Sequence, residues 1–182
     1  CSRYLGTRQT GESVKMSGAN EFNAVDTILP ELRQLFHDRL SLDASVLEQH
    51  GHDVSRHDTQ APQAVVYPIT TEEVSAVVKL CYDNKVPVIP YGTGTAVEGG
   101  VVAIFGGISI DLTKMNQIVA INKADADATV QAGVTRYQLN EALQDQHTGL
   151  VFTVDPGADA SIGGMAATRA SGSSAVKYGT MR

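Results

Sequence analysis

Between Ala61 and Gly100 the chain alternates apolar runs and helical spacing in a way that few folds accommodate. "AVVYP" reads as a short buried strand closed by Pro68. Thr70 and Glu73 form a capping box, opening a helix whose apolar positions are Val74, Val77, Val78 and Cys81. "VPVIP" is a second buried strand. A strand, a helix and a strand within roughly 30 residues make a βαβ unit with parallel strands and a right-handed crossover. The unit runs straight into "PYGTGTAVEGG", Pro90 to Gly100. Backbone that approaches a ligand would explain those glycines, and so would a plain turn.

Other segments divide the chain. Pro30 suits a helix start, with Leu32, Leu35, Phe36 and Leu40 at helical spacing, and "SLDASVLEQHG" is a second short helix ending at Gly51. "HGHDVSRHDTQAP" is polar and aperiodic, so His50, His52 and His57 are expected as solvated loop histidines, without the tight spacing of a metal site. Gly106–Leu112 is a further strand, and "QIVAINKADADATVQAGV" an antiparallel hairpin turning at Lys123–Asp127. "TRYQLNEALQ" is a helix with Leu139, Ala142 and Leu143 on one face. The change from βαβ to hairpin near Leu112 suggests two subdomains.

Charge narrows the partners. Fourteen basic against 20 acidic residues give −6, with no cationic cluster, which argues against nucleic acid. No apolar run approaches the roughly 20 residues of a membrane span. Cys1 and Cys81 are too few for a disulfide framework or a cysteine metal site, and Cys81 falls in a helical apolar pattern that would bury it as an inert thiol. Residues 1–19 are basic, Ser/Thr-containing and acid-poor, which fits a mitochondrial transit-peptide remnant or a disordered terminus. The chain begins at Cys1 and stops at "KYGTMR", which reads as a fragment.

Thirteen of the 17 glycines lie between Gly92 and Gly179, so backbone permissiveness is concentrated where a ligand would have to sit. The known phosphate motifs are absent. Gly92 and Gly94 are followed by Val97 where a dinucleotide fingerprint needs its third glycine, and there is no Gly-Lys-Ser/Thr. The underlying physics remains. Turn amides at Gly92 and Gly94, with hydroxyls from Thr93 and Thr95, can line an anion-binding concavity. Each charge-assisted hydrogen bond there contributes roughly 1.5–3 kcal/mol. A second segment, "DPGADASIGGMAATRASG" from Asp155 to Gly172, has Ser161 as N-cap of a helix whose first turn holds Gly163 and Gly164, where free N–H groups could meet an anion. Either loop alone could be a structural turn, and together they favour one extended ligand.

These motifs, with "GGISIDLTKMNQI", "D.DATVQAGVTRYQLNEAL" and "AVKYGTMR", closely resemble the FAD-binding (PCMH-type) domain of the vanillyl-alcohol oxidase superfamily, and within it the cytochrome-dependent D-lactate dehydrogenases. The resemblance covers Pro62 to Arg182 and implies an α+β fold of two FAD-binding subdomains, present as an N-terminal fragment. With the composition of the tail and the helical spacing after it, the chain divides into 1–20, a tail or transit remnant; 21–60, a helical segment and loop; and 61–182, the FAD-binding domain, incomplete at its C-terminal side. The resemblance places Pro90, Tyr91, Gly92, Thr93, Gly94, Thr95, Glu98, Gly99 and Gly100 around the FAD pyrophosphate. Asp155, Pro156, Gly157, Ser161, Ile162, Gly163, Gly164, Ala167, Thr168, Ala170 and Gly172 would line the rest of the cofactor, with Tyr178 and Gly179 near the flavin.

Some relatives attach FAD through a histidine in the first loop. Here no histidine occurs between His57 and His147, which implies non-covalent FAD. Two departures stand out: Ser174 replaces an asparagine, and Arg169 brings a cation that would either salt-bridge or crowd the cofactor. The family's acid–base histidine and metal ligands belong to a later part, so no catalytic residue or metal ligand carries over. The implied activity is oxidation of a D-2-hydroxy acid, D-lactate first, with cytochrome c or another one-electron acceptor. The alternatives are D-2-hydroxyglutarate or glycolate dehydrogenase, or a non-catalytic flavin-binding module.

Overall fold

The computed structural model describes residues 21–181, with side chains from residue 24 onward; the expectations for the 1–20 tail lie outside them. Helix α1 (Glu21–Phe36) is followed by a single 3-10 turn (His37–Arg39), strand β1 (Leu40–Ser41) and helix α2 (Ala44–Gln49). Next come β2 (Ala64–Val66), α3 (Thr71–Asp83), β3 (Val88–Tyr91) and β4 (Ile108–Asp111). The second half holds β5 (Ile118–Asn122), β6 (Asp127–Val130), α4 (Arg136–Asp145), α5 (Ile162–Ala167) and α6 (Ala175–Tyr178).

The first sheet has the order β1-β2-β4-β3. β2 and β3 both pair in parallel with β4, Val65 and Ile89 flanking Ser109, while β1 runs antiparallel to β2. The expected βαβ unit is therefore present, with β4 inserted between its two strands. Because side chains alternate across a strand, this sheet has two buried faces. Ala64, Val66, Ile108 and Ile110 pack with Val25, Ile28, Leu32 and Phe36 of α1 and Val77 and Cys81 of α3. On the other face Ile89 and Tyr91 pack with Val101 and Ala103. Cys81 is the inert thiol expected: burial pushes it up to about 11.

Several local expectations are corrected. Pro30 does not start its helix; it sits exposed inside α1. A proline there removes one intrahelical hydrogen bond, but burial of Val25 and Ile28 on the sheet outweighs it, so the helix extends upstream. Leu40 belongs to β1 rather than to the helix. Thr70 Oγ1 caps the Glu73 N–H, but the Glu73 carboxylate does not take its main hydrogen bonds from the Thr70 backbone. It accepts instead from Ile69 N–H and from Arg39, because a guanidinium is the stronger partner. Val78 is 43% exposed; Val77 and Cys81 make the buried stripe. β3 is an edge strand with Val88 and Pro90 outward rather than a fully buried one, a position that tolerates proline.

The second half builds a separate, smaller core. β5 and β6 form the expected antiparallel hairpin with an irregularity between Ile118 and Ala120. Ile118, Ile121 and Val130 pack against Val134, Leu139 and Leu143. A complete capping box opens α4: Thr135 Oγ1 accepts from Gln138 N–H, and Gln138 returns to Thr135 N–H. Two sheets with two cores make the α+β architecture of two subdomains. No helix among the described residues is long and apolar enough to cross a membrane.

Candidate functional site

The first glycine loop leaves the sheet at the carboxyl end of β3, where Leu112 N–H still donates to the Tyr91 carbonyl at 3.0 Å. Beyond Tyr91 the ladder stops. The N–H groups of residues 92–98 donate to no acceptor among the described residues. Gly94 lies at φ +68°, the left-handed region that favours glycine. Thr93 and Thr95 hydroxyls stand 3.3 Å apart. The far side of the loop is braced by the segment after α2: Val54 N–H donates to the Ala96 carbonyl at 3.0 Å, and Gly99 N–H donates to Asp53 Oδ2 at 2.9 Å. Burial pushes the Asp53 carboxyl up, but hydrogen bonds from Ser55 and Gly99 carry it below the usual carboxylate range. A stretch of donors without acceptors, at the carboxyl ends of parallel strands, is chemistry that suits a diphosphate.

The structure brings the second segment against the first. A Cβ on Gly92 would stand 2.5 Å from Ser161 Oγ, so the two loops meet closely and a side chain at 92 would have to displace the Ser161 hydroxyl from its cap. Ser161 is buried and caps α5 through Gly164 N–H at 3.3 Å, as its sequence position implies. The expectation of free amides in the first turn of α5 is corrected. Ile162 N–H donates to the Val134 carbonyl at 2.7 Å and Gly163 N–H to that of Ala132 at 2.8 Å. Both donors are consumed in docking α5 onto the segment before α4, which also bridges Thr135 to Ser161. Anion binding through amides therefore rests on the first loop.

The remaining residues of the second segment close on themselves. Gly157 N–H donates to Asp155 Oδ1 at 2.9 Å, beside Pro156. Gly172 lies directly against the Asp155 carbonyl. Exposed Ala167 and Thr168 end α5, with Thr168 Oγ1 donating to the Gly164 carbonyl. Met181 N–H donates to the Ala170 carbonyl, and Gly179 N–H closes α6 on Ala175 beside exposed Tyr178. Arg169 is exposed and forms no ion pair among the described residues. Ser174 precedes α6 without a side-chain cap.

Two features escaped sequence reading. Arg136 reaches Asp155 at 3.4 Å and stacks 4.3 Å over Tyr137, with a buried Nε that has no partner. His50 is 3% exposed, a correction to its placement among solvated loop histidines. Its Nε2 meets Asp111 Oδ2 at 2.8 Å and its ring lies 4.2 Å from that of Tyr91. Nothing in spacing could pair residues 61 apart. His52 and His57 are exposed as expected, and no group of metal-ligating side chains occurs among the described residues.

Parallel strands ending in a donor-rich glycine loop, faced by a second glycine-rich segment from a neighbouring subdomain, define a nucleotide-binding α+β domain. Residues 62–182 match the FAD binding domain family, and the chain belongs to it. FAD is its cofactor. The probable mitochondrial D-lactate dehydrogenase of Danio rerio is 51% identical over 160 residues, which is 87% of this chain and 32% of that protein. The mitochondrial D-lactate dehydrogenase [cytochrome] of Arabidopsis thaliana is 41% identical over 157 residues, 85% of this chain and 27% of that protein. Among solved structures, an alkyldihydroxyacetonephosphate synthase superposes with a TM-score of 0.77 at 28% identity, over 85% of this chain and 30% of that one. The chain thus spans about a third or less of the proteins it resembles.

Proposed function

We propose that this chain is the FAD-binding part of a flavoenzyme that oxidises a D-2-hydroxy acid, with D-lactate as substrate and pyruvate as product. Similarity to proteins named as D-lactate dehydrogenases supports the substrate. The observation that carries the site is the row of unpaired amides at 92–98, held within contact of Ser161. Those amides and the Thr93 and Thr95 hydroxyls bind the diphosphate. Pro90, Tyr91, Glu98, Gly99 and Gly100 shape that loop, while Asp155–Gly157, Ser161–Gly164, Ala167–Gly172, Tyr178 and Gly179 line the remaining cofactor. Bound FAD supplies the acceptor for the hydrogen leaving the carbinol carbon. This chain's residues grip, orient and shield it, and no catalytic residue is assigned to them.

With no histidine between His57 and His147, FAD is held without a covalent bond. The final acceptor is cytochrome c or another one-electron carrier and the protein works in mitochondria, in keeping with the relatives' names. Spectroscopy of the purified full-length protein checks the reading. It should be yellow, release all its FAD on acid precipitation, bleach with D-lactate and reduce cytochrome c. Bleaching only with D-2-hydroxyglutarate would reassign the substrate. Colourless protein that takes up no FAD would end the flavoenzyme reading, and yellow protein inert to every D-2-hydroxy acid would leave a flavin-binding module.

A further inference from the structure

A buried polar network lies directly beneath the first glycine loop, and nothing in the cofactor grip described above uses it. His50 follows α2, and both of its ring nitrogens face oxygen. Nδ1 is 2.8 Å from the Val46 carbonyl and Nε2 is 2.8 Å from Asp111 Oδ2. A carbonyl can only accept, so Nδ1 carries a proton. Asp111 Oδ1 accepts from both the N–H and the hydroxyl of Thr113, at 2.8 and 2.6 Å, which leaves Oδ2 for His50. When Nε2 carries a proton as well, the ring is an imidazolium with a donor toward each oxygen. Its ring centroid lies 4.2 Å from that of Tyr91, the two planes tilted by 41°. The Tyr91 hydroxyl in turn reaches beneath Gly94, where a Cβ would stand 2.5 Å from it. Contact runs unbroken from Asp111 through His50 and Tyr91 to the tip of the loop.

We propose that His50 is a positioning residue for the cofactor: clamped between Asp111 and Val46, its imidazolium holds Tyr91 under Gly94 and keeps the loop amides aligned on the FAD diphosphate. This rests on the assignment of loop 91–100 to the diphosphate made above. The groups facing the ring are Asp111 from β4, Tyr91 from β3, Val46 from α2, and Tyr67 after β2, edge-on at 6.0 Å with Lys114 5.0 Å above it. Burial pulls the His50 pKa down, but the Asp111 hydrogen bond, the Val46 carbonyl and the Asp111 charge together carry it above the ordinary 6.5. The clamp is therefore complete below that value and fails as pH climbs through the raised one, when one donor becomes a lone pair facing oxygen.

The test is titration of the full-length apoprotein with FAD, followed by flavin fluorescence, from roughly pH 6 to 9.5. Wild type should lose about tenfold in affinity across the His50 titration, the effect of one charge-assisted hydrogen bond. His50→Gln keeps a donor toward Asp111 without a titrating proton, and its profile should be flat. Asp111→Asn removes the anion, and the midpoint should move to lower pH, which a merely structural role would not cause. A wild-type slope in His50→Gln, or an unmoved midpoint in Asp111→Asn, overturns the proposal. If His50→Gln does not fold, the Asp111→Asn midpoint decides alone. Gly94→Val separates the two readings and should weaken FAD by at least about tenfold through its left-handed backbone. Unchanged binding in Gly94→Val would remove the loop assignment and this proposal together. Weakened binding there, with wild-type profiles in the other two variants, would remove only the role of His50.

Discussion

Gly172 shows how a single missing methyl permits the second cofactor segment to exist. Its Cα sits so close to the Asp155 carbonyl that an added Cβ would overlap that oxygen, and the obstacle is backbone, which cannot rotate aside. Gly100, in the first loop, has nothing within reach of a Cβ and no left-handed backbone. Gly172→Ala should therefore cost at least about 3 kcal/mol, the upper end of overpacking penalties. Gly100→Ala should stay within about 0.5 kcal/mol of wild type. Urea denaturation of the two variants decides, and equal stabilities would contradict the close approach. Both glycines look alike in the sequence, since the carbonyl that singles out Gly172 comes from Asp155.

At the scale of elements, the start of α3 is tied to the end of the N-terminal helix by one ion pair. Arg39 Nη1 and Nη2 donate to the two Glu73 oxygens at 2.7 and 2.6 Å, and Nη1 also donates to the Tyr67 carbonyl at 3.0 Å. The Arg39 hydrogen bond is the main reason the Glu73 carboxyl is held down at about 2, below its ordinary 4.5. A depressed carboxylate contributes stability that is fully present above 4.5 and lost as pH falls toward 2. Glu73→Gln should cost about 1–2 kcal/mol at pH 7, discounted because both side chains are partly solvated. It should also flatten the loss of stability between pH 4.5 and 2, which chemical denaturation at a series of pH values measures. An unchanged acid limb would show that Glu73 is not its source. The Thr70–Glu73 spacing announced the helix start correctly, while the true partner of Glu73 lay 34 residues upstream, beyond the reach of local pattern.

Among the described residues the largest core of the first subdomain and the core of the second are separate and meet near the glycine segments. Leu32 is fully buried among α1, α3 and the four-stranded sheet, and Leu143 is buried between α4 and the hairpin; the two clusters share no residue. The junction is made by short backbone contacts, such as Gly133 N–H to the Met115 carbonyl at 2.8 Å. Leu32→Ala and Leu143→Ala should each cost about 2–4 kcal/mol. The double variant should be additive within about 0.5 kcal/mol, as for sites without shared partners. Coupling well beyond that, in equilibrium unfolding, would mean a single continuous core. The arrangement suits a ligand that lies across the seam, because each core can hold its own glycine segment rigid while the two meet at Gly92 and Ser161.

The apolar run Ala64–Val66, the helical period of α3, the hairpin and the Ser161 cap were all legible in the chain, because each depends on neighbours a few residues apart. Composition and glycine spacing also pointed to an anion-binding loop after β3. Only the assembled fold placed β4 between β2 and β3, carried α1 through Pro30, consumed the first amides of α5 and buried His50 against Asp111. Those outcomes depend on which distant groups compete for the same surface or hydrogen bond, and that competition has no imprint on local sequence.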